Sequence, residues 1–141
     1  SGHVTGVQTC ALPIWDLLKL RFAMKVKVMQ ADSRVRQDEG KVAIMRGPVV
    51  YCLEEADNGQ GLPLVRVKPD AVFTEEKTDE LGFTMIMLRV NAKTKKPVTV
   101  ENGLYQTWQK PVYEGKELRF IPYYAWANRG EGEMEVWVNQ L

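Results

Sequence analysis

The stretch LKLRFAMKVKV, residues 18–28, decides how the chain is read. Leu18, Leu20, Phe22, Met24, Val26 and Val28 alternate with Lys19, Arg21, Ala23, Lys25 and Lys27. A period of two puts the apolar side chains on one face of an extended strand, whereas a helix would scatter them around its circumference. The basic residues then line the opposite, wet face. The stretch predicts a long, half-buried β-strand.

The same signal continues toward the C-terminus. KVAIMRG and PVVYCLE (residues 41–54) are apolar runs broken at Gly47-Pro48, with Pro48 suited to the first position of a strand. LVRVK, AVF, FTMIMLRV and PVTV read as further strands, and Asn102-Gly103 between VTVE and LYQTW reads as a type I′ hairpin. Lys116 to Tyr124 and Glu133 to Val138 supply two last strands, and only TEEKTDEL (residues 74–81) suggests a helical turn. Strands separated by turn signals at this spacing predict an all-β fold, an antiparallel sandwich of jelly-roll type. The strongest break is EADNGQGLP (residues 55–63), so the reading divides the chain into a unit at 15–56 and a second at 57–141.

The first fourteen residues fit neither period. Val4, Val7, Leu12 and Ile14 are irregularly spaced and Pro13 interrupts them. There is no basic region followed by a continuous apolar one, so a secretory signal is not read here. VTGVQTCALPI (residues 4–14) instead resembles, codon by codon, a translated short-read sequencing adapter. The expectation is that residues 1–14 stand outside the fold and that the chain is a fragment of a longer coding sequence.

Composition excludes several classes of function. Nineteen Lys+Arg against eighteen Asp+Glu leave a formal charge of +1, so no net field attracts nucleic acid or an anionic membrane. No apolar run approaches the roughly 20 residues that span a bilayer. Only His3 represents histidine, and Cys10 and Cys52 are the two cysteines. Beyond residue 14 no Cys–His nucleophile pair and no zinc-type ligand spacing remain. Cys52, inside an apolar strand, is read as core. Carboxylates available in principle for glycosidic chemistry are set aside by placement: Glu54-Glu55 adjoin on a strand end and point to opposite faces, the acidic run at 75–80 reads as solvated surface, and Glu131, Glu133 and Glu135 read as an exposed edge.

FIPYYAWANRGEGEMEVWV (residues 120–138) is the most informative stretch. Tyr123, Tyr124, Trp126 and Trp137 concentrate aromatic surface, and Asn128 and Arg129 add polar groups. Such a set could stack on and hydrogen-bond a sugar, anchor a domain interface, or fill a core with Arg129 closing a turn. The candidate residues for a domain-interface or sugar-contact role are Tyr123, Tyr124, Trp126, Asn128 and Arg129.

At this point a family resemblance emerges. GKVAIMRGPVVYCLEEADNG (residues 40–59) and IPYYAWANRGEGEMEVWV (residues 121–138) are similar to two signatures near the C-terminus of glycoside hydrolase family 127, typically β-L-arabinofuranosidases. The resemblance covers most of residues 15–141 and is weak between Lys68 and Gln109. It implies an α/α barrel followed by β-sandwich domains, with a zinc-bound cysteine nucleophile and glutamate ligands all in the barrel. None of those motifs occurs here, so no catalytic role passes to Cys52. The expectation is a non-catalytic C-terminal sandwich, with no cofactor of its own and zinc in the barrel. Its expected partners are that barrel in cis, the carbohydrate substrate of the parent enzyme, and a second subunit in a homodimer. A free-standing carbohydrate-binding module and an assembly module without sugar contact remain alternatives. An exposed aromatic row would favour the first and burial the second. Cellular location is not read from these residues.

Overall fold

The structure, a computed structural model, describes residues 24–141. The expected strand at 18–28 therefore lies partly, and the expected idle segment at 1–14 wholly, outside the described residues. The strands are β1 (Val26–Met29), β2 (Lys41–Arg46), β3 (Val49–Glu54), β4 (Val65–Arg66), β5 (Thr74–Thr78), β6 (Met85–Lys95), β7 (Tyr113–Pro122), β8 (Met134–Glu135) and β9 (Val138–Asn139). One helical turn, α1 (Glu55–Asn58), follows β3.

Every strand pairing is antiparallel, in the order β1-β2-β3-β7-β6-β4, with β5 added to β6. The architecture is all-β, as the alternation required. Its facing walls belong to one sheet curled into a half-barrel. β2 and β3 are joined by the two-residue turn Gly47-Pro48, in which Gly47 takes φ 58°. A left-handed first loop residue matches the right-handed twist of the flanking strands, and glycine reaches it without a Cβ clash. Pro48 thus sits in the turn, one place before the strand it was expected to start. Beyond the turn β2 and β3 diverge, and the C-terminal segment fills the gap. β8 pairs with β3 through Leu53↔Glu135, while β9 pairs with β2 through Val42↔Val138. Val67, just past β4, bridges to Gln140, and the Leu141 amide donates to the Val67 carbonyl at 2.9 Å. The last residues therefore close the curl between β4 and β2.

Alternation along β6 and β7 sorts side chains to two sides of the wall. Leu88, Val90, Leu118 and Phe120 point inward, where they meet Ile44, Tyr51, Leu53, Leu62, Val65 and Val138. Val26 and Val28 of β1 pack against this core, so the described end of the predicted strand buries the face it should. On the outer side Cys52, Met85, Met87, Ile121 and Ala125 form a second, smaller apolar cluster. Arg89 and Arg119 stand directly opposite each other on that side. Like charges in that position repel. Acids relieve them: Arg89 pairs with Glu76 and Glu117, and Arg119 with Glu80 and Asp57.

Several expectations change for tertiary reasons. TEEKTDEL contains no helical turn; its first residues form β5, laddered on β6 and tied by ion pairs from Glu76 to Arg89 of β6 and from Glu75 to Arg46 of β2. AVF forms no strand, although Phe73 packs edge-on against Phe120 at 5.9 Å. PVTV and LYQTW do not pair around Asn102-Gly103. They lie in the long irregular loop between β6 and β7, the true hairpin of this region. The boundary expected at Ala56–Asp57 is crossed by a continuous sheet and core, with Leu53 paired to Phe120 and both in one cluster.

EADNG has a different function from the one its turn chemistry suggested. The β3–β7 ladder reaches Leu53↔Phe120, leaving the Arg119 backbone without a strand partner on the β3 side. The buried Asn58 side chain takes that place: its Oδ1 accepts from the Arg119 amide at 2.9 Å, and its Nδ2 donates to the Arg119 carbonyl at 3.0 Å. Nδ2 also donates to the Glu54 carbonyl at 2.9 Å. Asn58→Ala would strand one buried donor and two acceptors. We expect a loss of about 3 kcal/mol in denaturant unfolding, from roughly 1–3 kcal/mol per unsatisfied buried group.

Candidate functional site

β7 ends at Pro122, and Tyr123–Ala125 form a short 3-10 turn beyond it. Ala125 is buried against Cys52 and Ile121, which fixes the turn on the outer face. The rings around it project outward: Tyr123 is 45%, Tyr124 62% and Trp126 38% exposed. Phe83, equally exposed with Trp126, joins them across the sheet edge. Phe83 and Tyr124 ring centroids are 6.1 Å apart, and those of Tyr123 and Trp126 6.3 Å. This is an aromatic patch of four residues; Phe83 was absent from the sequence reading. Trp137 is half-buried near β9.

Asn128 and Arg129 work inward. The Asn128 Nδ2 donates to the Ala125 carbonyl at 2.8 Å, closing the turn beneath the patch. Arg129 makes a two-pronged contact with Asp57, Nη1 to Oδ1 and Nη2 to Oδ2, both at 2.6 Å. Its Nη2 also donates to Glu54 Oε1 at 3.0 Å. The Asp57 side chain is only 2% exposed and that of Glu54 6%. The other Glu54 oxygen accepts from the Ala127 amide at 3.2 Å, and Ala127 holds φ 67°. A left-handed alanine is costly, and the Glu54 bond and the Arg129 anchor on either side stabilise it there. Farther along, Glu133 and Glu55 exchange bonds: the Glu133 amide donates to Glu55 Oε1 at 3.0 Å and the Glu55 amide to the Glu133 carbonyl at 2.9 Å.

The sequence reading thus found the loop but not its anchor. Asp57 was passed over and Glu54 was weighed only beside Glu55, because they lie 72 and 75 residues from Arg129 and no local period connects them. The one available signal was Arg129 itself, a guanidinium in an otherwise apolar and aromatic stretch.

The site has no nucleophile or metal ligand set. Cys52 is fully buried, and burial, followed by Glu54 and Asp57, pushes its thiol up to about 12. Among the described residues no group of three or more His, Cys, Asp or Glu could hold a metal. The zinc that the family resemblance implies does not fit these residues.

Two expectations follow. Arg129→Ala would leave buried Glu54 without a charge partner and buried Asp57 with only Arg119 at 3.6 Å, and breaking a buried ion pair costs about 3–5 kcal/mol. Arg129→Lys should recover only part of that, because a single ammonium cannot reproduce the fork; urea unfolding of the three proteins checks both. Alkaline stability should also fall. Folding raises the Cys52 thiol from 9.0 and the Tyr51 phenol, buried and donating to the Ile86 carbonyl at 2.7 Å, from 10.0, each to about 12. Both groups stay neutral longer in the folded state, so the unfolded chain ionises first. The contribution of these two groups should be level below about pH 8 and decline as pH rises toward 12, with a shallower decline in Cys52→Ala.

Comparisons with known proteins agree with this geometry. The model of the glycoside hydrolase family 127 C-terminal domain matches residues 26–139. A non-reducing end β-L-arabinofuranosidase from Bifidobacterium longum subsp. longum is 38% identical over 126 residues, covering 84% of this chain and 19% of that protein. The crystal structure of a family 127 β-L-arabinofuranosidase from Geobacillus stearothermophilus T6 superposes with a TM-score of 0.75 at 40% identity, over 82% of this chain and 18% of that one. A further family 127 β-arabinofuranosidase superposes at 0.69 with 34% identity, over 82% of this chain and 17% of that one. The chain spans less than a fifth of the length of these relatives. The family match runs unbroken from β1 to β9, across the expected boundary at Ala56–Asp57. The chain belongs to glycoside hydrolase family 127, as a C-terminal β domain of that family.

Proposed function

We propose that this chain is a non-catalytic supporting domain of a β-L-arabinofuranosidase-type glycoside hydrolase, and that its aromatic patch docks on the catalytic portion in cis. One observation carries the reading: the patch lies at the end of the sheet where the preceding polypeptide joins. Gly47 donates to the Lys25 carbonyl at 3.2 Å, so the incoming chain runs beside the β2–β3 turn. Val49 follows that turn, and Tyr51 of the same strand is opposite Pro122, the residue before Tyr123. Exposed rings held rigidly at a domain junction suit an interface, where tyrosine and tryptophan combine large apolar area with a polar tip. The patch is held by Arg129 and Asn128 from within, so it is formed before any partner arrives. In this reading the parent enzyme's zinc and nucleophile belong to the portion of the relatives beyond this match.

The exposure of Tyr123 and Tyr124 also favours a second reading, a carbohydrate-binding surface. Against it, the guanidinium of Arg129 is engaged internally with Asp57 and Glu54 and offers few free hydrogen bonds to sugar hydroxyls. The isolated chain is expected to release no arabinose from β-L-arabinofuranosides, with or without zinc, and to migrate unretarded through a native gel containing arabinan. Turnover abolished by Cys52→Ser would overturn the supporting role. Retardation abolished by Tyr123→Ser or Tyr124→Ser would assign the patch to carbohydrate instead of the catalytic portion.

A further inference from the structure

The chain carries the dipeptide Asn-Gly twice, at Asn58-Gly59 and Asn102-Gly103, and the fold treats the two in opposite ways. Such a pair is open to an intramolecular reaction. The glycine amide nitrogen, once its proton has passed to solvent, attacks the side-chain carbonyl carbon of the asparagine. A five-membered imide closes and ammonia leaves. Water then opens the ring at either carbonyl, giving aspartate or the isomer whose main chain runs through the side chain. Glycine favours closure because it has no Cβ to restrict the approach of its nitrogen. A hydrogen bond that holds the glycine N–H opposes closure, and so do bonds that hold the asparagine amide. Asn58-Gly59 has both. The Gly59 amide donates to the Glu55 carbonyl at 2.8 Å, and the buried Asn58 side chain makes three further bonds. Asn102-Gly103 lies in the loop between β6 and β7, within a run of exposed residues from 101 to 110. Among the described residues nothing bonds the Asn102 side chain or accepts from the Gly103 amide. Gly103 takes φ 82°, and a Cβ built on it would meet no atom within 4 Å.

We propose that Asn102 is a site of spontaneous deamidation in the folded chain, and that the fold protects Asn58 from the same reaction. Water is the only co-reactant. Each event replaces a neutral amide by a carboxylate and lowers the formal charge of +1 by one unit. The new charge joins Glu101 beside Leu104 and Tyr105, which are 83% and 90% exposed. An apolar stretch of the surface thereby becomes acidic with age. The isomer also lengthens the main chain by one atom. The loop absorbs this, because the Lys96 amide donates to the Val112 carbonyl at 2.8 Å and closes the base beneath the site. Neither apolar core draws a residue from 96–112.

Isoelectric focusing of the full 141-residue chain, incubated at mildly alkaline pH beside a sample unfolded in urea, tests this. Peptide mapping by mass spectrometry then assigns each product. In the folded chain we expect a band shifted by one negative charge, accumulating faster as pH rises because the attacking nitrogen must be deprotonated. The product should map to Asn102, with Asn58 unchanged. In urea Asn58 should convert as well, since unfolding releases its bonds. Asn102→Gln should lose the shift, because its longer side chain would have to close a six-membered ring. Gly103→Val should slow it by crowding the nitrogen. The melting temperature of the deamidated chain should match that of the fresh one. An Asn102 that stays intact in the folded chain, or an Asn58 that converts there as fast as Asn102, overturns the proposal. A band shift that persists in Asn102→Gln overturns it too.

Discussion

Arg129 holding Asp57 and Glu54 is the contact on which the described structure depends. Two carboxylates out of water are tolerable only if their charge is met and their oxygens are bonded. Arg129 meets both from a loop that follows β7, while Asp57 and Glu54 flank the junction of β3 and α1. The pairing joins residues 72 and 75 apart in sequence, and everything between them must be folded for it to form. In return it fixes the path of the aromatic turn, the strained backbone at Ala127 and the start of the segment that ends in β8 and β9.

The wall beneath this contact has two different faces. Inward, β6 and β7 bury a continuous apolar core that the C-terminal segment closes at β2. Outward, the same strands carry paired charges at Arg89 and Arg119 and a small apolar island around Cys52 and Ile121. The island seats Ala125 and so turns the neighbouring rings to solvent. A buried thiol, a satisfied ion cluster and an exposed patch are one arrangement, in which rigidity inside produces a fixed surface outside.

How much of this was legible depends on the range of the interaction that set each feature. Strands β1, β2, β3, β6 and β7 appear in the sequence because burial on one face imposes alternation locally. Gly47-Pro48 and Gly59 marked real turns for the same reason, since φ near 60–80° restricts residue choice at a single position. TEEKTDEL was misread because its extended form depends on Arg46 and Arg89, which approach only when β5 lies on β6. LYQTW was misread because side chains of strand type were taken to imply a strand, whereas these are left outside the sheet. The role of Asn58 in EADNG was not legible because an asparagine that completes a distant ladder and one that turns a loop are indistinguishable in one dimension.

By itself the sequence determined the all-β class, the main strands, the family and the stretch in which the candidate site lies. Periodicity, turn residues and gap-free signatures are properties of neighbouring positions, so they survive without coordinates. Only the tertiary structure decided that the strands on both sides of residue 56 share one sheet, that Tyr123, Tyr124 and Trp126 face solvent, and that Arg129 turns inward to Asp57 and Glu54. Whether a side chain is buried, paired or presented depends on residues brought to it by the closing of the sheet. That closing is a long-range event with no local code.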